Sequence, residues 1–166
     1  MQIRILICYV LSKFDKPIGA DDLKNTLHYE GLANYFEVAS ATSELERVGN
    51  IKSVEYRDRI CYVATDTGKN IAKELEKDVP FSVREYSVKA IERVLQRQRN
   101  ERENKVLIEE LDYGCMVTCI STDGKREIMR TSLLVPDKVC AEIIRERFLD
   151  NPSRVYMGIS EILTGK

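Results

Sequence analysis

Apolar side chains recur at steps of three and four along the first third of the chain. Ile3, Leu6, Ile7, Val10, Leu11 and Phe14 form one such stripe and predict an amphipathic helix. Asp15-Lys16-Pro17 ends it, because proline cannot continue a helix and restricts the residue before it. Ile18 and Gly19 read as a short extended piece. Asp21 or Asp22 is then placed to cap a second helix that carries Leu23 and Leu27 and stops at Gly31. A third helix begins near Asn34. Val38, Ala41, Leu45 and Val48, spaced by three, four and three, are its expected buried face, and Gly49 is a natural terminator. Ile51–Tyr56 and Ile60–Ala64 read as strands around Arg57-Asp58-Arg59, and Thr65-Asp66-Thr67-Gly68 opens a fourth helix through Leu75.

The pattern changes after Val79-Pro80. Ser82 with Glu85 makes the signature of a capping box. Val83, Tyr86, Ala90, Ile91, Val94 and Leu95 follow at helical spacing, before a polar run from Gln96 to Asn104. This helix is expected either to pair two subunits or to bridge the two halves of its own chain. Three strands come next, Lys105–Leu111, Cys115–Ser121 and Arg126–Val135, with Asp123-Gly124 favouring a two-residue hairpin turn between the last two. Asp137 is positioned to cap a helix whose face is Val139, Cys140, Ile143, Ile144 and Phe148. Asn151-Pro152-Ser153 breaks the chain, and Val155, Tyr156, Ile159, Ile162 and Leu163 mark a last amphipathic helix. The expected class is α+β: three helices, a hairpin and a fourth helix, then a bridging helix, then a three-stranded antiparallel sheet with two helices. The corresponding domains are residues 1–78, 79–103 and 104–166.

Composition narrows the chemistry. The chain has 166 residues, 43% hydrophobic and 32% charged, which suits a folded globular protein and is too apolar for a disordered one. Ile5–Leu11 and Leu133–Val135 are far shorter than the roughly 20 residues of a membrane span. No small-residue cleavage site follows the first of them, so a signal peptide is not expected and a cytoplasmic location is. Five cysteines, an odd number set inside apolar segments, argue against a disulfide framework. Cys115 and Cys119 are about 13 Å apart at strand rise, too far for one zinc ion, and His28 is the sole histidine. Neither a metal nor an organic cofactor is expected. The eight glycines form no phosphate-cradling loop, and no serine, lysine or cysteine has a visible base partner, so enzymatic activity is not expected. Tyr113, Arg126 and Arg130 are the polar groups to inspect in any C-terminal pocket, but no cluster selects a ligand.

The layout resembles a winged helix-turn-helix, in particular the bacterial regulator superfamily of the MarR-like and PadR-like proteins. Val38, then Leu45-Glu46-Arg47-Val48-Gly49-Asn50-Ile51, resembles a recognition helix running into its wing. Tyr62-Val63-Ala64-Thr65-Asp66-Thr67-Gly68 resembles the exit from the wing into the next helix. Across nearly the whole chain, Asn34-Tyr35-Phe36 and the Val135-Pro136 junction resemble an uncharacterised bacterial family that joins an N-terminal winged helix to a C-terminal β-rich domain.

These resemblances imply a dimeric, sequence-specific DNA-binding transcriptional regulator, with double-stranded DNA and a second copy of the chain as partners. A small molecule or protein acting on the C-terminal domain would set its affinity. Opposite the buried stripe of the third helix lie Phe36, Ser40, Ser43 and Arg47, with Ala39 beside them. The hydroxyls suit base edges or phosphates, Phe36 a thymine methyl, and Arg47 a phosphate or guanine. Arg57 and Arg59 at the wing tip are placed to grip the backbone or minor groove. Charge opposes this assignment. Residues 1–66 carry 8 basic and 10 acidic groups, while the basic excess lies in residues 67–105, with 10 against 7. Glu37, Glu44 and Glu46 flank the exposed face and would repel phosphate. The alternative is a winged-helix module that binds a protein or ligand but not DNA.

Overall fold

The computed structural model describes residues 2–165. In chain order its elements are α1 (Gln2–Ser12), β1 (Ile18–Gly19), α2 (Ala20–Tyr29), α3 (Tyr35–Arg47), β2 (Ile51–Glu55), β3 (Ile60–Ala64) and α4 (Asp66–Leu75). A 3-10 turn (Glu76–Asp78) leads to α5 (Phe81–Glu103), β4 (Asn104–Leu111), β5 (Gly114–Thr122), β6 (Glu127–Val135), α6 (Lys138–Asp150) and α7 (Pro152–Thr164). The chain is α+β: among the described residues, seven α-helices accompany two three-stranded antiparallel sheets, ordered β1-β3-β2 and β4-β5-β6. It divides into two compact units, Met1–Val94 and Leu95–Lys166, and the division falls inside α5.

In the first unit, every residue from Ile5 to Leu11 is buried. The expected one-sided stripe is therefore corrected: a helix apolar all round is a core helix, and α1 packs on α3, α4 and β3. Desolvation at the centre of this helix pushes the Cys8 thiol up to about 11. β1 has only two residues, yet Ile18 and Gly19 pair with Tyr62 and Cys61 and add a third strand to the hairpin. α2 starts at Ala20 with Gly19 as its N-cap, so Asp21 and Asp22 lie within its first turn and neither caps it. There they complement the helix dipole. Gly31 and Gly49, at φ +69° and +77°, close α2 and α3. In each case the glycine N–H and the next N–H return to carbonyls of the last turn, His28 with Leu27 and Glu46 with Leu45.

The start of α5 also departs from expectation. It begins at Phe81, with the Arg84 N–H donating to the Pro80 carbonyl at 3.1 Å. Ser82 is thereby drawn inside the first turn and makes no capping box. The buried positions in the first half of α5 are Arg84, Ser87, Ala90 and Ile91, while Tyr86 turns outward and donates its hydroxyl proton to Glu30. The Arg84 guanidinium lies 5.1 Å from the Tyr9 ring centre and 5.7 Å from that of Phe81, and pairs with Glu76 at 3.2 Å.

In the second unit, α6 and α7 cover one face of β4-β5-β6. Val117, Cys119, Met129, Ala141, Phe148 and Leu149 form its core. A buried polar chain fastens the end of α5: Asn100 Nδ2 donates to the Leu149 carbonyl at 2.8 Å, and Asn104 Nδ2 to the Asn100 carbonyl at 2.8 Å. Ser121 Oγ then donates to Asn104 Oδ1 at 2.7 Å. Arg97 reaches Glu101, Glu146 and Asp150 together. Two expected faces are corrected here. Val139 and Ile143 of α6 point outward while Ala141 and Leu149 are inside, and Ile162 and Leu163 of α7 are largely exposed. The hairpin turn is shifted by one residue as well. The Asp123 N–H meets the Arg126 carbonyl at 3.0 Å, so Gly124-Lys125 are its central pair, with φ positive at Gly124. The Asp123 carboxylate accepts the N–H groups of Lys125 and Arg126, which leaves aspartate just outside the turn.

Candidate nucleic-acid interface

α3 is held at both ends by local chemistry. Asn34 caps it, accepting the Glu37 N–H at 2.8 Å while the Glu37 carboxylate accepts the Asn34 N–H at 3.0 Å, a capping box. Its other end closes at Gly49 and runs directly into β2. Gly68, in the first turn of α4, abuts that closure: a Cβ there would lie 1.9 Å from the Asn50 carbonyl oxygen. Thr65 caps α4 by accepting the Gly68 N–H at 3.1 Å, and its hydroxyl lies 2.7 Å from the Gly49 carbonyl oxygen. The segment Thr65-Asp66-Thr67-Gly68 is therefore a close-packed joint between α4 and the end of α3.

Val38, Ala41 and Leu45 point inward, joined by Thr42, whose hydroxyl donates to the Val38 carbonyl at 3.0 Å. Val48 does not belong to that face. It is the C-cap residue, where the chain leaves the helical path, and is 50% exposed. Ser40, Ser43 and Arg47 are exposed on the opposite side, Ala39 is half-buried, and Phe36 is 82% exposed in the first turn. Phe36 packs edge-on against Tyr35 at 5.9 Å between ring centres.

The three glutamates beside this face all have partners. Glu37 is engaged in the capping box, Glu44 pairs with Arg4 of α1 at 2.6 Å, and Glu46 accepts from the backbone N–H of Ser53 at 3.2 Å and from its hydroxyl. Arg47 has no carboxylate partner among the described residues. Arg4 carries no sequence signal of its role, because nothing local pairs it with a residue so far along the chain. Its side chain lines an open groove of about 400 Å³ between α1 and α3, shared with Phe36, Glu37, Ser40 and Glu44.

The β2–β3 hairpin turns on Arg57 and Asp58, at φ +56° and +58°, closed by the Tyr56 N–H on the Arg59 carbonyl at 2.9 Å. Two left-handed central residues make the tight turn that matches strand twist and favours asparagine and glycine. Arg57 is exposed, its guanidinium 5.1 Å from the Tyr56 ring centre. Arg59 is not equivalent to it. The Asp22 carboxylate holds it at 3.0 Å, raising its pKa further above the ordinary arginine value.

Tyr113 lies between β4 and β5, and Arg126 between β5 and β6, so β5 separates them by its whole length. Arg130 donates twice to Glu127. These three groups do not converge. Among the described residues, no cluster of three or more His, Cys, Asp and Glu side chains is placed to hold a metal ion, and no helix is long and apolar enough to cross a membrane.

No curated protein and no solved structure matches the chain. The profile of the family described as a domain of unknown function (DUF4364) matches residues 3–163, nearly the whole length, and the chain belongs to that family.

Proposed function

We propose that the chain is a cytoplasmic, sequence-specific DNA-binding transcriptional regulator that acts as a dimer, its first unit being a winged helix-turn-helix of the MarR-like and PadR-like kind. In this reading α3 enters a major groove, where Ser40, Ser43 and Arg47 meet base edges and phosphates and Phe36 meets a thymine methyl. The β2–β3 hairpin is the wing and carries Arg57 to the backbone or the adjoining minor groove. A ligand or partner protein acting on the second unit sets the affinity.

The supporting observation is the outward face of α3. Its serines and arginine are exposed, and the glutamates that would repel phosphate are engaged by Asn34, Arg4 and Ser53. Retention on random duplex DNA across a salt series tests the reading. Arg47→Ala and Arg57→Ala are each expected to lower the salt slope by about one, the effect of giving up a single phosphate. Arg59→Ala is expected to lower it less, because Asp22 already holds that charge. Ser40→Ala and Ser43→Ala should alter the sequences selected from a random pool and leave the slope intact.

A second reading, a protein-interaction module of the same shape, draws on the 82% exposure of Phe36. Weak retention unchanged in the arginine variants, with loss of a captured protein on Phe36→Ala, would replace the first reading with the second.

A further inference from the structure

The β4-β5-β6 sheet has a second face from which the α6–α7 core draws no side chain. Three rows cross it. Lys105 shares a row with Ile120, which is buried, and Arg130; Leu107 shares the middle row with Thr118 and Ser132, whose hydroxyls lie 2.8 Å apart; and Glu109 lies beside Met116 and Leu134. Leu107 and Leu134 are 54% and 53% exposed, large apolar groups on strands rather than on loops. Lys105 and Glu109 are both exposed, and neither has an ion-pair partner among the described residues. Four residues apart along one strand, they are separated by about 13 Å and cannot pair with each other.

We infer that this face is the surface through which two copies of the chain associate, sheet on sheet, about a two-fold axis running across the strands through Leu107. A half-turn about that axis exchanges the two ends of every strand. Lys105 then meets Glu109 of the second copy, and Glu109 meets its Lys105, so two opposite-charge pairs bracket the interface. Leu107 stacks on its own counterpart, and Met116 lies over the row that holds Ile120. Leu134 lies against the aliphatic stem of the second copy's Arg130, whose charge Glu127 already satisfies within the chain. The other face-to-face two-fold, with its axis along the strands, would lay β4 over β6 of the second copy and set Lys105 against Arg130, two positive charges, and Glu109 against Leu134. The charge pattern therefore selects the axis that crosses the strands, about which one patch complements itself.

This deepens the dimeric part of the proposed function, and its test uses the full chain without DNA, so the two stand or fall separately. Sedimentation equilibrium from about 1 to 300 μM is expected to show a monomer–dimer equilibrium. Lys105→Glu and Glu109→Lys should each weaken it at least tenfold by placing like charges together, and Leu107→Asp should leave only monomer. The double variant Lys105→Glu/Glu109→Lys should return to within about threefold of the original, since it rebuilds both pairs with the signs exchanged. Circular dichroism melts verify that these exposed substitutions leave the fold intact. A monomer throughout the concentration range overturns the inference, as does a dimer indifferent to Leu107→Asp or single variants that the double variant fails to rescue.

Discussion

Arg57 occupies a backbone conformation that a side chain with a Cβ adopts at a cost of about 1 kcal/mol. The turn would be served better by glycine or asparagine, so the arginine is retained at the expense of stability. Arg57→Gly is expected to raise the stability of the first unit by about 0.5–1 kcal/mol while weakening duplex retention. Chemical denaturation and the salt series, run on the same variant, would move in opposite directions; a decline in both would show that the side chain supports the fold. Gly68 is the converse case. The carbonyl oxygen of Asn50, 1.9 Å from any added Cβ, belongs to the backbone that closes α3 and cannot step aside as a side chain would. Gly68→Ala should cost about 2–3 kcal/mol or more, judged by overpacking penalties, read from the shift in denaturation midpoint. Arg84 shows how little side-chain chemistry the sequence pattern reveals. It lies among apolar positions of α5, beside the Phe81 ring one turn earlier, and an arginine in that register reads as solvent-facing until Tyr9 of α1 is brought to it.

At the scale of elements, α3 is the most legible part of the chain because its determinants are local. Asn34 with Glu37 marks the start, the three- and four-residue spacing marks Val38, Ala41 and Leu45, and Gly49 marks the end. Asn34→Ala should remove about 1 kcal/mol by leaving the Glu37 N–H unpaired, whereas Asn34→Asp should remove little, a difference that thermal melts can resolve. α6 and α7 are legible as helices but not in their orientation. α6 carries apolar residues around most of its circumference, so spacing offers two inward faces, Val139 with Ile143 or Ala141 with Phe148 and Leu149. The sheet surface chooses the second. The same holds for the Ser82 signature. A capping box needs the chain to enter the helix at serine, and the Pro80 carbonyl takes the first helical bond instead.

For the molecule as a whole, local charge chemistry gives the second unit a defined acid limit. Lys138 holds the Glu110 carboxyl below its ordinary range, Arg130 does so for Glu127, the backbone N–H groups of Arg126 and Lys125 for Asp123, and the Cys140 N–H for Asp137. Each of these groups titrates lower folded than unfolded. Each therefore adds stability above its unfolded value near 4 and forfeits it as pH falls through its folded value. Melting temperatures should be level from pH 6 to 8 and fall below about pH 4. Asp137→Asn, which keeps the cap without the charge, should flatten part of that fall and lower the neutral-pH midpoint less than Asp137→Ala. What the amino-acid sequence determined by itself was the order and kind of the elements, because caps, turn glycines and hydrophobic periodicity act over a few residues. What only the tertiary structure decided was which of two apolar faces is buried, that Ile18 and Gly19 complete a sheet with β3, and that Arg4 and Ser53 engage Glu44 and Glu46 beside Ser40, Ser43 and Arg47. Those outcomes depend on groups distant in the chain meeting in space, and no short-range pattern encodes such a meeting.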